Sequence, residues 1–180
     1  MIHSAAIISN CIYDRDVYIG AYCVVGDPAE NLKTWNKTPY GVKIYAGAVL
    51  TKLVTIDCGT IRDTIIGKNV MIMAGGHVGH DAVIGDNVVI ACGAKVGGHV
   101  EIGTGCNLGL NSVAHPRVKI PPYCMIGANA IITKNLQTIP FGVYAGNPAK
   151  FIKMNEIGIE KAGLSKEDVE RITKEWNDIL

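Results

Sequence analysis

The chain has 180 residues, a formal net charge of +1, 48% hydrophobic residues and 18% charged ones. That balance excludes a strongly basic nucleic-acid binder and an acidic tail, and it is too apolar for disorder. It contains no run of about 18 apolar residues able to form a membrane helix. Met1-Ile2-His3-Ser4 lacks the basic flank of a secretory leader, so the six cysteines read as free thiols in a reducing, cytoplasmic setting.

Ile and Val number 24 and 17 against 8 Leu, with 21 glycines. β-Branched side chains suit strands, and so many glycines imply many turns. In chain order, a first block places apolar residues six apart at Ile7, Tyr13, Ile19 and Val25. An excursion loop over 27–43 follows, marked by Pro28, Asn31, Trp35, Asn36, Pro39 and Gly41. A long loop on a repeat scaffold is where binding residues sit. A second block runs through Ile44, Leu50 and Ile56 and breaks at 57–65.

The third block is the longest. It keeps step from Ile66 through Ile72, Val78, Ile84, Ile90, Val96, Ile102, Leu108, Ala114, Ile120 and Ile126 to Ile132. Glycine follows directly at 67, 79, 85, 97, 103, 109 and 127. A period of six is neither helical nor that of a plain amphipathic strand. It predicts short strands joined by turns, coiling so that each sixth side chain points inward. Cys11, Cys23, Cys106 and Cys124 each stand two places before such a position. That slot wants a small apolar group, and a free cysteine supplies one.

The repeat stops near Thr133, and Pro140, Gly142, Gly146 and Pro148 mark an exit. Residues 1–150 are expected to form the β domain and 151–180 a helical segment. Ser165 is a helix N-cap before the acidic first turn Glu167-Asp168. Val169, Ile172, Trp176 and Ile179 give one apolar face, and Glu167/Arg171 and Glu170/Lys174 are i,i+4 pairs. A shorter helix ending near Gly163 precedes it.

The [Ile/Val/Leu]-Gly-x4 array resembles the hexapeptide-repeat acyltransferases. The resemblance implies a left-handed parallel β-helix of triangular section, with about three hexads and so about 18 residues per coil, about six coils here. It also implies a homotrimer with active sites between subunits. Within that superfamily the chain is most similar to the UDP-N-acetylglucosamine acyltransferases of lipid A biosynthesis, in a shortened form. The similarity is carried by Met73–Gly85 with His77, His80 and Asp81, by Gly97-Gly98-His99-Val100, by Ser112–His115, by Glu30–Lys33 and by Asn155–Leu164. Pro116 replaces the family's glutamine, Lys161 one of its arginines, and Asn31 an acidic residue.

Transfer of an acyl group from a thioester needs a base on the acceptor and a donor dipole for the oxyanion. Histidine suits the first task. His80 to His99 is 19 residues and His99 to His115 is 16. With about 18 residues per coil, these fall near one edge on successive coils, which stack about 4.8 Å apart. His80 followed by Asp81 reads as a base with its orienting carboxylate. The resemblance assigns those roles to the pair and an oxyanion N–H to Gly98. It implies substrate contacts from His77, His99, His115, Asn31 and Lys33, and nucleotide contacts from Asn155 and Lys161. The implied co-substrates are an acyl carrier protein thioester and a nucleotide sugar, with no cofactor and no metal. Lys150, Lys153, Lys161 and Lys166 are candidates for docking the acidic carrier protein.

Three other functions are open at this point. Tyr144–Lys150 resembles acetyl-CoA-dependent sugar acetyltransferases, which implies the same chemistry with a CoA donor. The 35-residue step from His80 to His115 is similar to the spacing of two zinc-binding histidines in γ-class carbonic anhydrases, but the third would fall at Ile120. A non-catalytic β-helix is the last, and the His-Asp pair argues against it.

Overall fold

Most hexads form a strand of two or three residues whose last side chain turns inward. In the computed structural model, which describes residues 1–35, 37 and 39–178, these strands stack into three parallel walls. The first wall has seven strands, from Ile7–Ile8 through Val24–Asp27, Thr55–Asp57, His77–Val78, Lys95–Val96 and Val113–Ala114 to Ile131–Ile132. The second has six, from Cys11–Tyr13 to Lys119–Ile120. The third has eight, from Tyr18–Ile19 through Met125–Ile126 to Gly142–Ala145, closed by Lys150–Met154 running antiparallel. The result is a left-handed parallel β-helix, and its walls hold more coils than the six the period suggested.

The register accounts for the repeat. Val78 pairs with Val96 and Ile56, Ile84 with Ile102 and Ile66, and Ile90 with Leu108 and Ile72. All twelve sixth-place residues from Ile66 to Ile132 are buried. A β-branched side chain stacks on its counterpart one coil away, so apolar ladders run the length of the interior. Cys23, Cys106 and Cys124 are buried in this core as the small-residue slot required, and Cys11 is partly buried. The pattern fails at the first coil. Ile7 faces outward, because its strand pairs Ile8 with the buried Val25 and so gives Ile8 the inward place, while Tyr13 pairs with the buried Ile44 but stands at the open end of the stack and is exposed.

Beyond the walls, a short helix α1 (Glu156–Lys161) and a longer α2 (Lys166–Asn177) follow the antiparallel strand. Ser165 caps α2 as expected. Its hydroxyl accepts from the Asp168 N–H while the Asp168 carboxylate accepts from the Ser165 N–H. The surface pairing differs from expectation. Arg171 bonds Asp168 at 2.6 Å, one turn back at i,i+3, rather than Glu167. Val169, Ile172 and Trp176 are partly buried, as an apolar docking face should be, while Ile179 and the loop's Asn36 lie outside the described residues. Among the described residues no helix is long and apolar enough to cross a membrane.

One edge matters for function. The chain turns from the first wall to the second at residues 28–41, 58–63, 79–82, 97–100 and 115–118. Both interruptions of the repeat, and His80, His99 and His115, therefore occupy the same edge.

Candidate functional site

At this edge Asp81 and His99 hold left-handed backbone angles, φ 61° and 60°. Asp and His tolerate this region better than bulky residues. His99 stands one residue beyond strict coil register from His80, and the corner brings the two rings together edge to face, 4.8 Å between centroids. The His80 Nδ1 lies 2.6 Å from Asp81 Oδ2. His99 Nε2 is 3.6 Å from the same oxygen, beyond hydrogen-bond distance.

The Asp81 side chain is fully buried yet wholly satisfied. Its Oδ1 accepts the backbone N–H groups of Thr60, Ile61 and Arg62 at 2.9, 2.8 and 3.0 Å. Its Oδ2 accepts the Thr60 hydroxyl at 2.7 Å besides His80. Burial alone would push the carboxyl up. The His80, Ile61, Thr60 and Arg62 donors together outweigh it and hold the group well below the usual carboxylate range. Asp81 is thus a fixed anion. With Nδ1–H given to that anion, His80 keeps the Nε2 lone pair for another proton.

Nε2 faces Gly98. A Cβ built on Gly98 would lie 2.7 Å from His80 Nε2 and 2.8 Å from Cε1, so only glycine fits against the ring. The flanking Gly97 and His99 N–H groups bond Ala114 O and His80 O. Among the described residues the Gly98 N–H donates to no backbone acceptor. The imidazole thus packs against a residue whose amide has no backbone partner among the described residues, the two kinds of group that acyl transfer requires.

His77 lies on the strand before the dyad. Its Nδ1 is 2.8 Å from the Thr55 hydroxyl, and its Nε2 is 4.0 Å from Asp57 Oδ2. Burial pushes the His77 imidazole down, against the pull of Glu30. Burial likewise lowers His99, opposed by Asp81. Burial pushes the Asp57 carboxyl up to about 6, with Glu30 and Asp27 adding repulsion and a hydrogen bond from the Glu30 backbone opposing it. The sign follows. Between about pH 4 and 6 Asp57 holds a proton in the fold that the unfolded chain has released, so its own contribution to stability falls as pH rises through that window, while the lowered His77 and His99 contribute in the opposite sense. Asp57→Asn is expected to flatten this decline and to gain about 1–3 kcal/mol at pH 7.5. Urea unfolding at pH 4.5 and 7.5 checks it.

Other expected site residues stand elsewhere. His115 is exposed on the next coil, with no hydrogen bond or ion pair to the dyad among the described residues. Lys33 is exposed on the excursion loop, and its N–H is capped by Asn31 Oδ1 at 3.0 Å. Asn155 caps α1 through Oδ1 and donates to Tyr123 O through Nδ2 at 2.9 Å. It shares with Lys161, Asn107 and Met125 a separate groove of about 580 Å³ on the third wall. Within one chain this groove does not include the dyad. The corner 58–63, overlooked in the sequence, is what fastens Asp81. Its one sequence sign is Gly59-Thr60, where a Cβ on Gly59 would meet the Arg62 carbonyl.

Ligand atoms of His80, Asp81 and His99 fall within 4.8 Å of one another. Both Asp81 oxygens are already occupied by donors, and His115 stands outside the group. The arrangement fits a hydrogen-bonded dyad better than a zinc centre.

The family described as bacterial transferase hexapeptide (six repeats) matches residues 63–98. An acyl-[acyl-carrier-protein]–UDP-N-acetylglucosamine O-acyltransferase of Campylobacter lari is 34% identical over 80 residues. That stretch is 43% of this chain and 30% of the relative's length. Among solved structures, the UDP-N-acetylglucosamine acyltransferase of Bacteroides fragilis superposes with a TM-score of 0.86 at 26% identity, covering 97% of this chain and 69% of the other. The corresponding structure from Acinetobacter baumannii gives 0.77 at 26% identity, covering 97% and 82%.

Proposed function

We propose that this left-handed β-helix of hexapeptide repeats is an acyltransferase that moves an acyl group from acyl carrier protein to a hydroxyl of a UDP-N-acetylglucosamine-type nucleotide sugar. The observation that carries the reading is the His80–Asp81 contact of 2.6 Å with Nε2 set beside the free Gly98 amide. His80 Nε2 takes the proton of the acceptor hydroxyl as its oxygen attacks the thioester carbon. The Gly98 N–H receives the resulting oxyanion. Collapse breaks the carbon–sulfur bond, and the imidazolium returns its proton to the leaving thiolate. Asp81, held ionised, steadies the imidazolium between these steps. The resemblances to the enzymes of C. lari and B. fragilis support the choice of donor and acceptor. His77 and His99 border the acceptor, with Asn31, Lys33, His115, Asn155 and Lys161 as further substrate contacts.

The test is thioester consumption with UDP-N-acetylglucosamine, acyl carrier protein donors and acetyl-CoA being run in parallel, with product masses measured. An acylated UDP-sugar from the carrier-protein donor is the expected product. Acetylation from CoA alone would overturn the donor, and no turnover with either would overturn the acceptor.

The active assembly in this reading is a homotrimer working in the cytoplasm. His115, Lys33 and the α1 groove stand apart from the dyad in one chain, and Leu32 and Trp35 of the excursion loop are exposed, as groups that meet a neighbouring subunit would be. Light scattering is expected to give three times the 19.2 kDa chain mass. A monomer would remove the shared site.

A further inference from the structure

The two oxygens of Asp81 are used differently. Oδ1 is filled by three consecutive amides of the 58–63 corner, which any residue there would supply. Among the described residues Oδ2 receives two donors, the Thr60 hydroxyl at 2.7 Å and His80 Nδ1 at 2.6 Å. Oδ1 is crowded by its three amides, whereas at Oδ2 the Thr60 hydroxyl takes one lone-pair direction and the imidazole the second. The remaining neighbours do not compete. His99 Nε2 stays at 3.6 Å, and the Arg62 guanidinium is spent on the Asp81 carbonyl at 2.9 Å and on Glu101 at 3.2 Å. Arg117 lies beyond His99, while Asp57 and His77 lie on the strand side of His80. Thr60 sits on an interruption of the repeat, so no wall hydrogen bond depends on its side chain.

We propose that Thr60 is a positioning residue: its hydroxyl shares Asp81 Oδ2 with His80 and thereby fixes the imidazole with Nε2 against Gly98. The proposal rests on the acyl-transfer reading for its kinetic consequence, but not for its structural one. A side chain that can no longer define the second lone-pair direction leaves Asp81 anchored through Oδ1 and His80 free to swing about Oδ2. Orientation of the base is lost while substrate binding is kept.

The test uses Thr60→Val, which matches the shape of threonine and keeps the backbone amide, and Thr60→Ser, which keeps the hydroxyl. Thr60→Val is expected to lower kcat about tenfold with KM unchanged. In proton NMR, the low-field Nδ1–H resonance of His80 is expected to broaden or move. Thr60→Ser is expected to restore both. A Thr60→Val enzyme within about twofold of wild-type kcat, with the His80 resonance in place, would overturn the proposal. So would a fall in kcat that Thr60→Ser does not rescue. If the wild type turns over no thioester, the acyl-transfer reading fails, and the resonance alone then decides on Thr60: unchanged in Thr60→Val, it overturns the role. Should Thr60→Val fail to fold, Thr60→Ala carries the same measurements.

Discussion

His80→Ala is expected to lower the transfer rate about 1,000-fold with little change in thermal stability. The rate falls because the proton acceptor packed against Gly98 disappears, and general-base catalysis contributes about 10²- to 10⁴-fold. Stability holds because the Asp81 carboxylate retains four protein donors, three amides and the Thr60 hydroxyl. A buried carboxylate stripped of all partners would be costly, but one stripped of His80 alone is not. Steady-state rates with the carrier-protein donor, beside a circular dichroism melt, test both halves. A kcat within tenfold of wild type would remove His80 from the role of base. A collapsed melt would mean that the imidazole is a structural prop.

Gly98→Ala is expected to lower kcat at least about 100-fold by a different route. The new methyl would stand 2.7 Å from Nε2, 2.8 Å from Cε1 and 3.1 Å from Cδ2 of His80. The ring cannot stay. It must rotate off the Asp81 contact or push the corner outward, and a misplacement of about 1 Å costs about 100-fold. Gly98 has no left-handed φ, so alanine is tolerated by the backbone and the coil should still close. Transfer rates, together with the NMR signal of the His80 ring, distinguish a displaced imidazole from an unfolded chain. Wild-type rates in Gly98→Ala would show that Nε2 does not work at that point.

The walls were legible because one position in six must be buried in every coil, and each choice at that position is Ile, Val, Leu or Ala from Ile66 to Ile132. Once the period of a coil is set, His80 and His99 must meet, whatever lies between them in the chain. The ends were less legible. Tyr13 obeys the pattern and is exposed, since a repeat cannot state where stacking begins, and Ile7 keeps the spacing although the inward place in its strand belongs to Ile8. The support of Asp81 was invisible for another reason. Its donors are mostly backbone amides of 60–62, which every non-proline residue possesses. Asn155, which the resemblance places near the nucleotide, also caps α1, a structural role that a single amide side chain does not announce in the sequence.

Both interruptions of the repeat leave the coil at the edge that carries the dyad. Length changes in a wall would throw every ladder above them out of step, whereas length changes at a corner leave the ladders intact. The edge where this chain can most easily gain or lose residues is thus also the edge that holds the His80–Asp81 dyad. One such segment, 58–63, anchors the Asp81 carboxylate, and the other, 28–41, leaves the coil at the same edge. New acceptor preferences can therefore arise by remodelling segments that, apart from Ala29 and Cys58 at their starts, bury no apolar side chain, without renegotiating the scaffold.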